Sequence, residues 1–281
     1  MSFEKFKDET NTNDADAGIK VAPLATHNYF SESIPIRKPK HANIDDYNTG
    51  LWYFYREQDY KTAKVIFEKL IARHEEEAMS NYFLGRCFNY LKNQKLALQH
   101  MELAMHFRPE RSMFRYSYAA IIHYELKDPK RAIKHYKICE KLYEKGLKKD
   151  PASHSHHVAL IGRGKFYCDY GKCLELLERY KDAEDAYKKG IKTIVGFGRC
   201  HWLLGQLLKK QKRYKEAEYH FERTMNCEHR PWHMKPYLQY ATLLIKLRKF
   251  EKALKLLEQC LDYVEYSSYK QCAEVYFMLG R

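Results

Sequence analysis

Reactive side chains stand close together at a few places in this 281-residue chain, and each place sets an expectation. His154, His156 and His157 could in principle hold a metal. No complete ligand set accompanies them, however, so they read as polar loop residues. Cys227, His229 and His233 surround the Pro231-Trp232 turn, where a loop that packs its tryptophan on the next element is the favoured reading. Gly162-Arg163-Gly164 resembles a fragment of a glycine-rich loop, yet no strand precedes it. Cys168 and Cys173, five apart in a helical pattern, read as small core residues. There is no phosphate loop of the G-x-x-x-x-G-K-[ST] type, no G-x-S-x-G elbow, no H-E-x-x-H and no C-x-x-C pair. The chain is expected to carry no catalytic activity, cofactor or metal.

What remains is charge. Lys and Arg number 50 against 36 Asp and Glu, a net of +14. Residues 1–46 hold six basic and eight acidic residues, so residues 47–281 hold 44 against 28 and carry a net of +16. A hydrophobic fraction of 45% is enough to bury a core. No apolar run reaches about 18 residues, and Met1 to Asp16 has neither a basic start nor an apolar core, so neither a membrane span nor a secretory signal is expected. The eight cysteines fall inside apolar helical patterns rather than at disulfide-framework spacing. They read as free thiols of a reducing compartment, the cytoplasm first, with nucleus and cilium compatible.

The elements that must position these charges show themselves as a repeat. Alanines recur at Ala63, Ala97, Ala132, Ala183, Ala217 and Ala253, spaced by 34, 35, 51, 34 and 36 residues. Four residues after each stand Phe67, Met101, Tyr136, Tyr187, Phe221 and Leu257. Twelve residues before three of them stand Gly85, Gly171 and Gly205, with Ala241 and, one residue out of step, Ala119 as weaker versions. Twelve glycines and eight prolines are too few for a chain of hairpins, so the pattern is helical.

This pattern resembles the tetratricopeptide repeat (TPR), a helix-turn-helix unit of about 34 residues. The resemblance implies an all-α, right-handed superhelical solenoid of six repeats over residues 44–281, with a disordered or loosely docked arm over 1–43. The expected helix pairs are 44–57 with 60–74, 78–91 with 94–107, 111–125 with 129–149, 158–177 with 180–193, 197–211 with 214–227, and 234–247 with 250–264. The 51-residue step predicts an elongated hairpin near 141–163. Tyr276-x-x-Leu279-Gly280 reads as the start of a seventh repeat, cut off and uncapped at Arg281.

In TPR proteins the first helix of each pair lines the concave face, so the resemblance also nominates a groove. Its candidate residues are Arg56, Tyr82, Arg86, Tyr90, Tyr116, Lys165, Lys172, Arg199, Trp202, Lys209, Lys235 and Lys246, a basic surface studded with aromatics. The acids expected among them are Asp45 and Glu175. Such a groove suits an acidic protein or peptide segment with apolar anchors. The expected function is a non-enzymatic scaffold or adaptor within a multiprotein complex. RNA or another nucleic acid is the alternative guest, and an accessory region of a larger enzyme a third reading. One TPR sub-class grips a chaperone's C-terminal carboxylate. Here Asn48, Trp52, Phe83, Met113 and Ser117 stand where that sub-class needs its Lys, Asn and Arg residues, which disfavours that role.

Overall fold

The computed structural model describes residues 47–149, 157–193, 198–227, 235–260 and 277–278. Among the described residues twelve helices form six consecutive pairs. They are α1 (Tyr47–Trp52, running on as a π-helical turn over Tyr53–Glu57) with α2 (Tyr60–Ala72), α3 (Glu77–Tyr90) with α4 (Gln94–Phe107), and α5 (Ser112–Tyr124) with α6 (Pro129–Lys149). The series continues as α7 (His157–Leu176) with α8 (Tyr180–Thr193), α9 (Gly198–Lys210) with α10 (Tyr214–Met225), and α11 (Lys235–Lys246) with α12 (Phe250–Cys260). Each helix packs on the next, and the first helix α7 also touches the first helices α5 and α9, within a right-handed superhelical TPR solenoid. The arm 1–43, the loop 150–156 and the predicted start of a seventh repeat at 276–280 lie outside the described residues, apart from Phe277 and Met278.

The alanine anchors explain the stacking. All six are buried to 2% exposure or less. A Cβ built on Gly85 would stand 2.9 Å from the Ala97 carbonyl oxygen, and one on Gly171 would stand 2.3 Å from the Tyr187 ring. Glycine is therefore used in this chain for close approach of helices. It is not used at the turns, although every turn between paired helices calls for a left-handed residue. Gln58, Lys92, Lys127, Glu178, Lys212 and Arg248 all have φ between 52° and 64°, each two residues before the second helix of its pair. The amide after the left-handed residue then reaches back to a carbonyl of the closing turn, as from Asn93 to Phe88 (2.8 Å) and Arg213 to Leu208 (3.0 Å). Side-chain caps start the following helices: Asp59 accepts from the Lys61 and Thr62 amides, Asn93 from Leu96, and Asp128 from Arg131.

The first repeat contains a device that the sequence pattern did not show. Gly50 takes the place of Gly85 against Phe67, whose ring lies 2.9 Å from a Cβ built there, but it stands thirteen residues before its alanine rather than twelve. The π-helical turn absorbs the extra residue, closing on the Gln58 amide bonded to the Tyr53 carbonyl. Among the described residues no helix is long and apolar enough to cross a membrane.

Candidate functional site

The first helices carry the candidate groove residues, and they divide into two regions. In repeats one to three the chemistry is aromatic. Arg86 on α3 is 4% exposed; its Nη1 donates to the Tyr55 hydroxyl at 2.9 Å. Its guanidinium carbon lies 4.5 Å from the Phe54 ring centroid and within 5.7 Å of those of Tyr55, Tyr82 and Phe83. A planar, weakly hydrated cation is well suited to such a box of π faces. Tyr82 is buried and shares a 3.1 Å hydrogen bond with Ser117, and Tyr90 stacks on Tyr60 with centroids 4.2 Å apart. Arg56 stands exposed outside this box.

In repeats three to five the organising group is an acid, Asp169 on α7. Tyr116 donates to its Oδ2 at 2.6 Å, Tyr124 donates to Oδ1 at 2.7 Å, and Arg199 Nη2 lies 3.3 Å from Oδ1. Burial pushes the carboxyl up, but Arg199, the Tyr116 hydroxyl, Lys172 and the Tyr124 hydroxyl together hold it below the usual carboxylate range. Around this one carboxylate gather more cations than it can balance. Lys165 is 3% exposed, and burial, then the field of Arg199, lowers its ammonium to about 7 despite Asp169. Lys172 is half-buried and shifted down by burial and by Arg199, with Lys235 of the sixth repeat adding to the same effect.

A second basic cluster lies further along. Trp202 is buried and its indole donates to Gln239 Oε1 at 2.8 Å. Lys209 reaches the Gln239 carbonyl at 3.5 Å and is shifted down by burial and by Lys246. Lys246 itself is exposed and lies 4.4 Å from the Tyr214 ring centroid. Glu175 does not oppose these charges freely, since it accepts from Tyr187 at 2.6 Å and from Lys210 at 2.9 Å.

The candidate residues thus have three fates. Tyr82, Arg86, Tyr116, Lys165 and Trp202 are buried among other side chains; Tyr90, Lys172, Arg199, Lys209 and Lys235 are half-buried; Arg56 and Lys246 are exposed. The expected groove acid Asp45 lies outside the described residues. Sequence reasoning missed Asp169. Its signal was a single acid inside the apolar run Phe166 to Tyr170, where a buried charge must be paired. Cys168 and Cys173 are both buried as expected of core residues, Cys168 with its Sγ 2.7 Å from that of Cys200.

Away from the inner face, a crevice of about 430 Å³ opens between α6 and α8 over Tyr170 and Leu174. Lys189, which lines it, is matched by Glu140 at 2.7 Å and Glu144 at 3.7 Å. Among the described residues no three His, Cys, Asp or Glu side chains group as a metal site. His154, His156, His229 and His233 lie outside the described residues, and nothing is described of the His157 side chain. The first helices of the fourth to sixth repeats thus carry partly enclosed cations beside the buried carboxylate of Asp169.

The family model described as tetratricopeptide repeat matches residues 46–76, the first helix pair, and a second model of that description matches residues 235–263, the sixth. No curated protein sequence matches the chain. Among solved structures the fold is similar to PilW, a widely conserved type IV pilus biogenesis factor, with a TM-score of 0.63 at 16% identity over 82% of this chain and 94% of that one. It is also similar to the C-terminal part of a TPR repeat-containing protein from Cytophaga hutchinsonii, with a TM-score of 0.57 at 18% identity over 83% of this chain and 84% of that one. The APC/C hetero-tetramer Cut9–Hcn1 gives a TM-score of 0.57 at 15% identity over 83% of this chain and 41% of that one. With repeat matches on the first and sixth helix pairs and the same anchored pair recurring four times between them, the chain is a tetratricopeptide-repeat protein.

Proposed function

We propose that this protein is a non-enzymatic interaction scaffold whose helical region, from residue 44 on, works as one solenoid and binds an acidic segment of a partner protein along its concave face. The observation that carries the reading is the excess of half-buried cations in the fourth to sixth repeats: Arg199 and Lys172 act on the single carboxylate of Asp169, and Lys235 acts on Lys172. Cations partly stripped of water and short of counter-charge are stabilised by an incoming anion, and a concave wall concentrates their field. Half-buried Tyr90 and the partly exposed edge of Trp52 supply aromatic contact for apolar side chains of the same segment. Membership of a multiprotein complex is consistent with the similar fold in the Cut9–Hcn1 assembly. A reducing compartment such as the cytoplasm fits Cys87, Cys139, Cys168, Cys173, Cys200 and Cys227, all free and buried.

The test is a fluorescence-anisotropy titration with a Glu/Tyr copolymer, a Lys/Tyr copolymer and a single-stranded oligonucleotide as probes. The expected result is binding of the Glu/Tyr copolymer alone, weakened in a Lys172→Glu/Lys235→Glu variant of unchanged helicity. Equal binding of both copolymers would remove the acidic-segment reading. Preferential binding of the oligonucleotide, with affinity falling linearly in log salt, would replace it with nucleic-acid recognition.

A further inference from the structure

The second helix of the third repeat, α6, has two unlike sides. Ala132, Tyr136 and Cys139 are fully buried on one of them. Lys130, Lys134, Lys137, Lys141 and Lys145 are all exposed, and at about 100° per residue they fall within about 80° of arc on the opposite side. The five run along about 22 Å of helix at roughly one charge per turn, so each ammonium lies well inside the Debye length of the next. Lysines on other second helices are matched by acids: Lys64 by Glu68, Lys188 by Glu184 and Lys252 by Glu222. Among the described residues none of the five α6 lysines forms an ion pair. The two acids of the helix, Glu140 and Glu144, flank the stripe and reach Lys189 of α8 instead, at 2.7 and 3.7 Å. Five like charges are thus held in line by a helix packed into the core, with the helix's own counter-charges turned aside.

We propose that this lysine stripe of α6 docks the protein on an anionic membrane surface. Charge complementarity calls for a dense array of anions, and the composition of the stripe favours lipid headgroups as that array. All five groups are lysines, compact hydrated point charges that ask for no planar or bidentate partner. The exposed arginine beside them, Arg131, is directed to the Tyr118 hydroxyl, to which its Nη2 donates at 3.0 Å. No aromatic ring is exposed among the described residues of α6, so the stripe has nothing on which nucleic-acid bases could stack. Its exposed apolar neighbour is Ile138, at the edge of the stripe. A fluid bilayer brings an anionic headgroup to each lysine without a fixed register, whereas an acidic protein segment must carry its charges at matching positions. The contact is peripheral, requires no spanning helix and uses none of the residues assigned to the acidic-segment site.

The experiment is co-sedimentation of the full chain with vesicles of phosphatidylcholine alone and with vesicles of equal parts phosphatidylcholine and phosphatidylserine. The expected result is binding to the mixed vesicles only, weakening as salt is raised. Lys134→Gln/Lys137→Gln/Lys141→Gln, exposed changes to a residue that suits a helix, should weaken that binding about a hundredfold, or about fivefold per lysine. Lys61→Gln/Lys215→Gln/Lys255→Gln removes the same charge from exposed positions on α2, α10 and α12 and should weaken it far less. Equal weakening by the two triple variants would reduce the binding to net charge and overturn the stripe as its site. Failure to sediment with the mixed vesicles overturns the proposal outright. So does a duplex oligonucleotide whose binding the α6 variant loses while its vesicle binding persists, an outcome that assigns the stripe to nucleic acid.

Discussion

Arg86 and Arg199 stand on first helices of the same solenoid, in the second and fifth repeats, and they are kept in opposite ways. Arg86 is surrounded by the faces and edges of Phe54, Tyr55, Tyr82 and Phe83, and its nearest polar contact is a neutral hydroxyl. Arg199 is held by a carboxylate that itself accepts from two tyrosines. The first arrangement satisfies a cation with polarisable surface and closes the face around it. The second satisfies a cation with an ion, and it crowds Lys165 and Lys172 into the same field. One scaffold thus presents a closed aromatic half and a half-open basic half, in which Lys165 and Lys172 share the field of Arg199.

The comparison breaks most sharply at its hub. Asp169→Ala should cost about 3–5 kcal/mol in urea unfolding, because Arg199 and two tyrosine hydroxyls lose a buried partner together. Arg86→Met should cost less, about 1–3 kcal/mol, since the aromatic box keeps an apolar occupant of similar length. Equal losses at the two sites would mean that the halves do not differ as described. Next in size is a gain. Lys165→Met should stabilise the fold by on the order of 1–4 kcal/mol by removing a charge buried beside Arg199. The folded ammonium titrates near 7, below its unfolded value, so the cost of charging it is full below pH 7 and fades as pH rises toward 10.5. The gain from Lys165→Met must therefore be larger at pH 6 than at pH 10; a pH-independent gain would show that Lys165 is not charged and buried in this way.

Acid should also separate the halves. In the fifth repeat His201 and His220 face each other with Nδ1 atoms 2.9 Å apart. Burial first, then for His201 the field of His220 and Arg223, and for His220 that of Lys188 and Arg213 against Glu184 and Glu216, depresses both to about 4. Stability from this pair is complete above the unfolded value near 6.5 and is lost as pH falls toward 4. The matching position of the second repeat pairs His100 with the neutral amide of Asn81 at 2.9 Å, so no second charge builds up there. Hydrogen exchange at pH 4.5 should show α9 and α10 opening before α3 and α4, and the reverse order would contradict the pairing. The smallest effect is one the halves share. Lys92→Gly and Lys212→Gly each relieve a left-handed residue in equivalent turns and should each stabilise by about 0.5 kcal/mol in thermal unfolding.

Much of the fold was legible because the seam between paired helices leaves so little room. Ala63 to Ala253 repeat where a larger side chain would collide, and that constraint is written in residue type. Gly50 escaped notice because recognition counted residues, while the first repeat keeps its glycine in place through a π-helical turn that shifts the count by one. The candidate residues fall on first helices, but which of them are enclosed did not show in the sequence. Lys165 and Lys246 look alike in sequence, and one is enclosed while the other is open, because enclosure depends on how the next first helix covers each site. Asp169 was illegible for a different reason: it is not among the groove residues that the family resemblance implied, and its three partners, Tyr116, Tyr124 and Arg199, come from two other helices.

The turn over Tyr53–Glu57 has a consequence for how such chains change over time. An inserted residue normally rotates everything after it by about 100°, and in a solenoid that error would propagate into every later interface. Here the surplus is discharged within one helix, and Ala63, Ile66 and Phe67 still meet their partners fully buried. Single-residue insertions in the first helices are thus survivable mutations, and each one moves the inner-face side chains beyond it to new angles while the seam stays fixed. The side chains carried on the first helices can drift by such steps at little cost to the framework that holds them.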